Sequence, residues 1–231
     1  MSTTTDYRPE LPVLTERIAR LPVHRGYPVP WFVAWVDESG SPLARGEGEP
    51  DFRVIAPDAI ESAYYKALCW VCGEFRGRYA AFVAGPMCAV NRTVSEPPSH
   101  PECAGWSACA CPFLTRPHAR RREAGLPEGT VDPAGIALRR NPGVALVWSS
   151  RDWRPWRPPG GGVLFDMGTP EEVGWFAEGR AATREEVERS ITSGLPSLRE
   201  LAEEDGPDAV VDLDQRVRFV MEELAPKAVT L

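Results

Sequence analysis

CWVCG (69–73) and HPEC (100–103) are the stretches on which the fold turns. Two cysteines at x₂ spacing followed by glycine make a knuckle: a tight turn whose amides face the thiolates, with Gly73 supplying the backbone freedom at its end. After the 27 residues between Cys72 and His100, a second x₂ pair, His100 and Cys103, places two donors on the first turn of a helix that Ser99 or Pro101 starts and that runs on through Trp106. Three thiolates and one imidazole form the donor set of a tetrahedral zinc site, and Cys69, Cys72, His100 and Cys103 are its expected ligands. Knuckle, hairpin and helix N-terminus together form a treble-clef-like module, with RYAAFVAG (78–85) as a hairpin strand. Four protein donors leave no open position, which favours a structural metal over a catalytic one.

Cys88 lies between the two pairs, in GPMCAVNR (85–92). As an alternative ligand in place of His100 it gives a four-cysteine set that suits zinc or an iron–sulfur cluster. Asn91, Arg92 and Glu96 follow in a proline-stiffened loop, as second-layer support for the ligands or as a grip on a small anionic substrate. Cys109, Cys111 and His118 match no common metal spacing.

Outward from this core, WFVAWVD (31–37) and DFRVI (51–55) read as a paired set of strands, and a short helix fits around Leu14–Leu21. Asp58 and Glu61 have capping-box character ahead of a helix with Ile60, Ala63, Tyr64 and Ala67 on one face. GVALVWS (143–149) and GVLFDMG (162–168) are expected as a β-hairpin. A helical part follows: Thr169 capping 170–178, a Thr183 capping box opening a helix closed by Gly194, a short helix over 196–203, and a last one over 208–224. The fold class is therefore α+β, with small antiparallel sheets, the zinc module and a helical C-terminal part. The expected division is an N-terminal β-containing segment (1–58), the zinc module (59–118), a linker (119–135) and the β-hairpin with helices (136–231), with one compact fold overall as the alternative.

Charge is uneven: residues 104–160 carry +5 and residues 161–231 carry −9, within a net −7. A basic whole-chain nucleic-acid coat is excluded; contact with nucleic acid or a protein partner would use the basic middle. Its candidates are Arg116, Arg120, Arg121 and Arg122, then Arg151, Trp153, Arg154 and Trp156, where guanidinium groups alternate with rings suited to base stacking. Arg180 is expected to tie a corner to a neighbouring acid. No apolar run reaches membrane-spanning length, and the polar start lacks the pattern of a signal peptide, so the expected place is the cytoplasm, with cysteines as thiols or ligands. Nucleophile-elbow, P-loop, HExxH and dinucleotide fingerprints are all missing from the sequence.

CWVCG, GPMCAVNR, EPPSHPECA, CPFLTRPHARR and WFAEGRAATREEVERSI together resemble a set of uncharacterised proteins of actinobacterial and actinophage genomes. The resemblance spans roughly residues 30–225. It implies that Cys69, Cys72, His100 and Cys103 act as a unit and that the role is accessory; it implies no catalytic residue.

Overall fold

The computed structural model describes residues 12–120, 126, 141–159 and 161–227. In chain order the elements are α1 (Glu16–Ala19), β1 (Val23–His24), β2 (Tyr27–Pro28), β3 (Val33–Val36), β4 (Pro42–Leu43), β5 (Glu49–Ile55), α2 (Ala59–Tyr65), β6 (Ala80–Ala84), α3 (Pro86–Asn91) and β7 (Thr93–Val94). There follow α4 (Pro101–Ala110), α5 (Pro112–Thr115), β8 (Ala145–Ser150), β9 (Arg154–Trp156), β10 (Leu164–Asp166), β11 (Glu172–Ala177), β12 (Arg180–Ala181), α6 (Arg184–Asp205) and α7 (Pro207–Phe219), which ends in a π-helical turn, Val220–Leu224. This is the α+β architecture expected, with small antiparallel sheets and a helical C-terminal part. Most of the 119–135 stretch read as a linker lies outside the described residues.

The central sheet runs β12-β11-β8-β6, antiparallel throughout. Alternate residues of its strands, Ala80, Phe82, Leu146, Trp148, Trp175 and Ala177, line one face of the main core. Val90 of α3, Val187 and Ile191 of α6 and Leu213 of α7 complete that core. Helix α4 contacts the same sheet through β6, β8 and β11. Its Cys103, Trp106 and Ala110 pack with Ile18 and Leu21 of the α1 region and with Cys69 and Val71, so one helix carries both a ligand-bearing stripe and a sheet contact.

The β3–β5 pair forms as expected and holds β4 at its other edge, in a sheet separate from the central one. The hairpin expected between 143–149 and 162–168 does not form. β8 is central, buried along most of its length, and takes a neighbour on each side, β6 and β11, while β10 folds onto β9 from the intervening loop and onto β7. Strand β6 likewise takes its main partner, β8, from outside the metal-ligand segment.

The helix expected over 170–178 is strand β11. Val173, Trp175 and Ala177 alternate onto the core, and β8 supplies the partner. Its end is a two-residue hairpin turn, with Glu178 at φ +51° and Gly179 at φ +80° between paired Ala177 and Arg180. The two helices expected on either side of Gly194 are one, α6, opened by the Thr183–Glu186 capping box as read from sequence. Gly194 serves close packing instead of termination: a Cβ there would lie 2.9 Å from the Met87 side chain of α3. Asp58 does not cap α2 through its side chain; it sits at φ +56°.

Candidate metal centre

The knuckle is built from both sides. Leu68 and Phe75 bridge in antiparallel fashion, Cys69 N–H donates to Glu74 C=O at 2.8 Å, and Gly73 N–H to Cys69 C=O at 2.8 Å. Gly73 is at φ +76°, and a Cβ on it would lie 2.3 Å from a carbon of the Trp31 ring, so glycine is required on two counts. Trp31 is itself held there by its N–H on Val71 C=O, 2.7 Å. The second ligand pair is fixed to the central sheet. Ala81 and Ser99 exchange both backbone hydrogen bonds, at 2.9 and 2.8 Å, and His100 then caps α4 with Pro101 at the first helical position and Cys103 in the first turn.

Cys69, Cys72, His100 and Cys103 come together with their ligand atoms all within 4.8 Å of one another, and they could hold a metal ion such as zinc. His100 Nδ1 stands 3.4 Å from Cys72 Sγ and 3.9 Å from Cys103 Sγ. A tetrahedral ion with metal–sulfur and metal–nitrogen bonds of about 2.3 and 2.0 Å sets nitrogen and sulfur about 3.5 Å apart and two sulfurs about 3.8 Å apart. The other ring nitrogen, Nε2, lies 3.0 Å from Phe75 C=O. A carbonyl only accepts, so Nε2 carries the proton and donates, and the Nδ1 lone pair is left facing the sulfurs. The backbone amides of Cys72 and His100 point at Cys69 Sγ, at 3.5 and 3.4 Å, the pattern that stabilises a thiolate.

Crowding splits the acidity of the three thiols. Cys69 accepts from Cys103, Cys72 and the two amides and is held far below the usual thiol range, while Cys103, donating to Cys69 and Cys72 beside that negative charge, is pushed far above it. Three thiolates coexist there only around a cation. Three thiolates, one neutral imidazole and a divalent ion leave a net charge of about −1. Arg76 supplies a positive charge nearby. Its side chain is buried, its guanidinium stands 4.9 Å from the centre of the Trp153 ring, and its Nε has no hydrogen-bond partner. Burial lowers its pKa and the negative charge on Cys69 opposes that shift. Arg76 Nη1 faces the Gly77 and Tyr79 carbonyls at 3.5 Å, so a buried positive charge with one unpaired donor stands near the donor group.

The other residues singled out in the sequence go elsewhere. Cys88 is outside the gathered donors; burial raises its pKa, as it does for Cys109 and Cys111, and neither of the last two joins a metal-ligand group among the described residues. Glu96 is exposed. Asn91 C=O accepts from Arg216 at 3.3 Å, and Arg92 lies over the Phe219 ring at 4.9 Å, so both face α7. Arg151 pairs with Glu171 at 3.1 Å and covers the Tyr79 ring at 4.1 Å. Trp153 packs against Phe82 and Phe165 of the core. Arg154 and Trp156 line a cleft with Asn91 and Arg92. Arg116 and Arg120 are exposed; Arg121 and Arg122 lie outside the described residues. Asn141, just ahead of β8, donates to Arg116 C=O at 2.9 Å, whereas Arg151 follows the far end of that strand. Arg116 and Arg151 thus stand toward opposite ends of β8. Arg180 pairs with Glu186 at 2.7 Å, the structural role expected of it.

Sequence reasoning missed Arg76 and the Phe75 carbonyl, because neither residue type nor spacing marks them. It also missed the part α7 plays beside Asn91 and Arg92. No helix among the described residues is long and apolar enough to cross a membrane. No protein-family model, curated protein or solved structure matches the chain.

Proposed function

We propose that this chain is a zinc-binding accessory protein. Cys69, Cys72, His100 and Cys103 hold one zinc ion in a treble-clef-like structural module, and the protein works by binding a partner rather than by chemistry at the metal. The observation that carries this is the His100 ring: Nε2 is engaged at 3.0 Å by Phe75 C=O, and Nδ1 is aimed among three sulfurs. Four protein donors fill a tetrahedron, so no position is left for substrate or activated water. Asn91 and Arg92 line a cleft against α7, which speaks for binding there and against a metal-dependent reaction in the GPMCAVNR loop. Cys88, which an iron–sulfur cluster would enlist, stays in α3 outside the donor group.

The test is a thermal unfolding series on zinc-loaded protein, with and without a strong chelator. A structural zinc contributes folding free energy directly. Even about 3–5 kcal/mol of it corresponds to a fall of roughly 6–20 °C in a chain of this size. An unchanged melting point after the metal is stripped would overturn the structural role.

A further inference from the structure

Asn91, Arg92, Arg154 and Trp156, from two segments some sixty residues apart in sequence, converge on one cleft of about 1020 Å³. Its floor is one face of the β7-β10-β9 sheet. Thr93, Asp166 and Arg154 stand in register across the three strands, and Phe165, next along β10, points the other way into the core. Trp156, two residues on from Arg154 along β9, shares its face and is 43% exposed. The opposite wall is α7, through Phe219 and Arg216.

Most of the charges here already have work. Asp212 pairs with Arg216 at 2.7 Å. Asp152 accepts from the Ser150 hydroxyl and from both the N–H and the hydroxyl of Thr169, and so staples its loop. Asp166 uses one oxygen on Gly168 N–H. Among the described residues, what remains for a ligand is the N–H edge of Arg92, whose guanidinium lies over the Phe219 ring, the guanidinium of Arg154, one carboxylate oxygen on Asp166, and an exposed indole face. Arg92 is also held at φ +55°, a conformation that bulky residues avoid, with its C=O fixed by Met167 N–H at 2.8 Å.

We propose that this cleft binds a nucleotide unit: the base stacks on Trp156, the phosphate is held by Arg92 and Arg154, and a ring or sugar donor reaches Asp166. Each group matches a chemical need: an aromatic face for a flat ring, planar guanidinium donors for phosphate oxygens, and a carboxylate for an N–H or O–H. This inference rests on the reading that the protein works by binding, and it names the ligand class. The same chemistry is offered by a free mononucleotide and by one residue of a single strand.

Isothermal titration of the zinc-loaded full chain with AMP, TMP and an eight-nucleotide oligo-dT separates the sources. Saturable binding of a mononucleotide assigns a free nucleotide; oligo-dT binding about tenfold or more tighter than TMP assigns a strand. In either case Trp156→Ala and Arg154→Gln each weaken binding about tenfold, and Arg189→Gln, at an exposed position of α6 that does not line the cleft, leaves it unchanged. Arg154→Gln alters an exposed side chain, so it reports even if the tryptophan variant folds poorly. No binding of any of the three probes up to about 1 mM overturns the inference, and so does binding that both variants leave intact. Zinc content measured on the same samples keeps the two readings apart. Nucleotide binding by zinc-free protein would contradict only the metal reading, and full zinc without binding would contradict only the cleft.

Discussion

Arg76 bears on the proposed metal site beyond its four donors. As a donor its guanidinium reaches only the Gly77 and Tyr79 carbonyls, each at 3.5 Å, among the described residues, its Nε is unsatisfied, and it lies in the field of Cys69. Arg76→Met keeps most of the apolar reach over Trp153 but removes the charge, and zinc affinity in a chelator competition falls about 10–100-fold, with Arg76→Lys closer to wild type. Glu186 gives a second residue-scale outcome. Its carboxyl, bonded to Arg180 and to Thr183 N–H, is held at about 2. The folded value lies below the unfolded value of about 4.3, so the contribution is complete above that pH and is lost as pH falls toward 2. Glu186→Gln therefore lowers stability by about 0.5 kcal/mol near neutral pH in urea unfolding, and the difference from wild type closes in acid. At this scale the gathering of Cys69, Cys72, His100 and Cys103 was legible because x₂ spacing encodes local geometry that the chain carries with it. Arg76 was not legible: its role depends on Trp153, brought in by the tertiary fold.

Elements were read well where local chemistry decides them and badly where a distant partner does. The Thr183 capping box opens α6 as its residues dictate, and α4 starts at Pro101 behind His100. The stretch 170–178 has proline and glycine at the positions a helix favours, yet β8 imposes a strand on it, and the alternation of Val173, Trp175 and Ala177 was the overlooked signal. Gly194 read as a stop because glycine commonly ends helices; only the neighbouring α3 reveals that it makes room for Met87. Gly194→Leu drives a branched side chain into that contact and costs about 1–3 kcal/mol in denaturant unfolding. A neutral or stabilising result would mean that α3 and α6 are not held this closely.

Across the whole molecule the metal group sits at a junction. The knuckle is tied to the N-terminal region through Trp31, the second ligand pair to the central sheet through Ser99 and Ala81, and Cys103 to the α1 region through α4. The α+β class and the helical end were evident from pattern, whereas sheet order was not, since β6 finds β8 only after the chain has run through the ligand segment. The acidic C-terminal third meets its own cations, in Arg184–Glu188, Arg199–Asp214 and Arg216–Asp212 pairs, as a solvated helical surface does. The most direct test of the account is the zinc content per chain, by elemental mass spectrometry, of protein purified without added metal, beside that of Cys103→Ser. The account predicts about one zinc per chain in the wild type, with no visible absorbance, and a large loss in the variant. A wild type without zinc, iron in its place, or a variant that keeps its full zinc would contradict it.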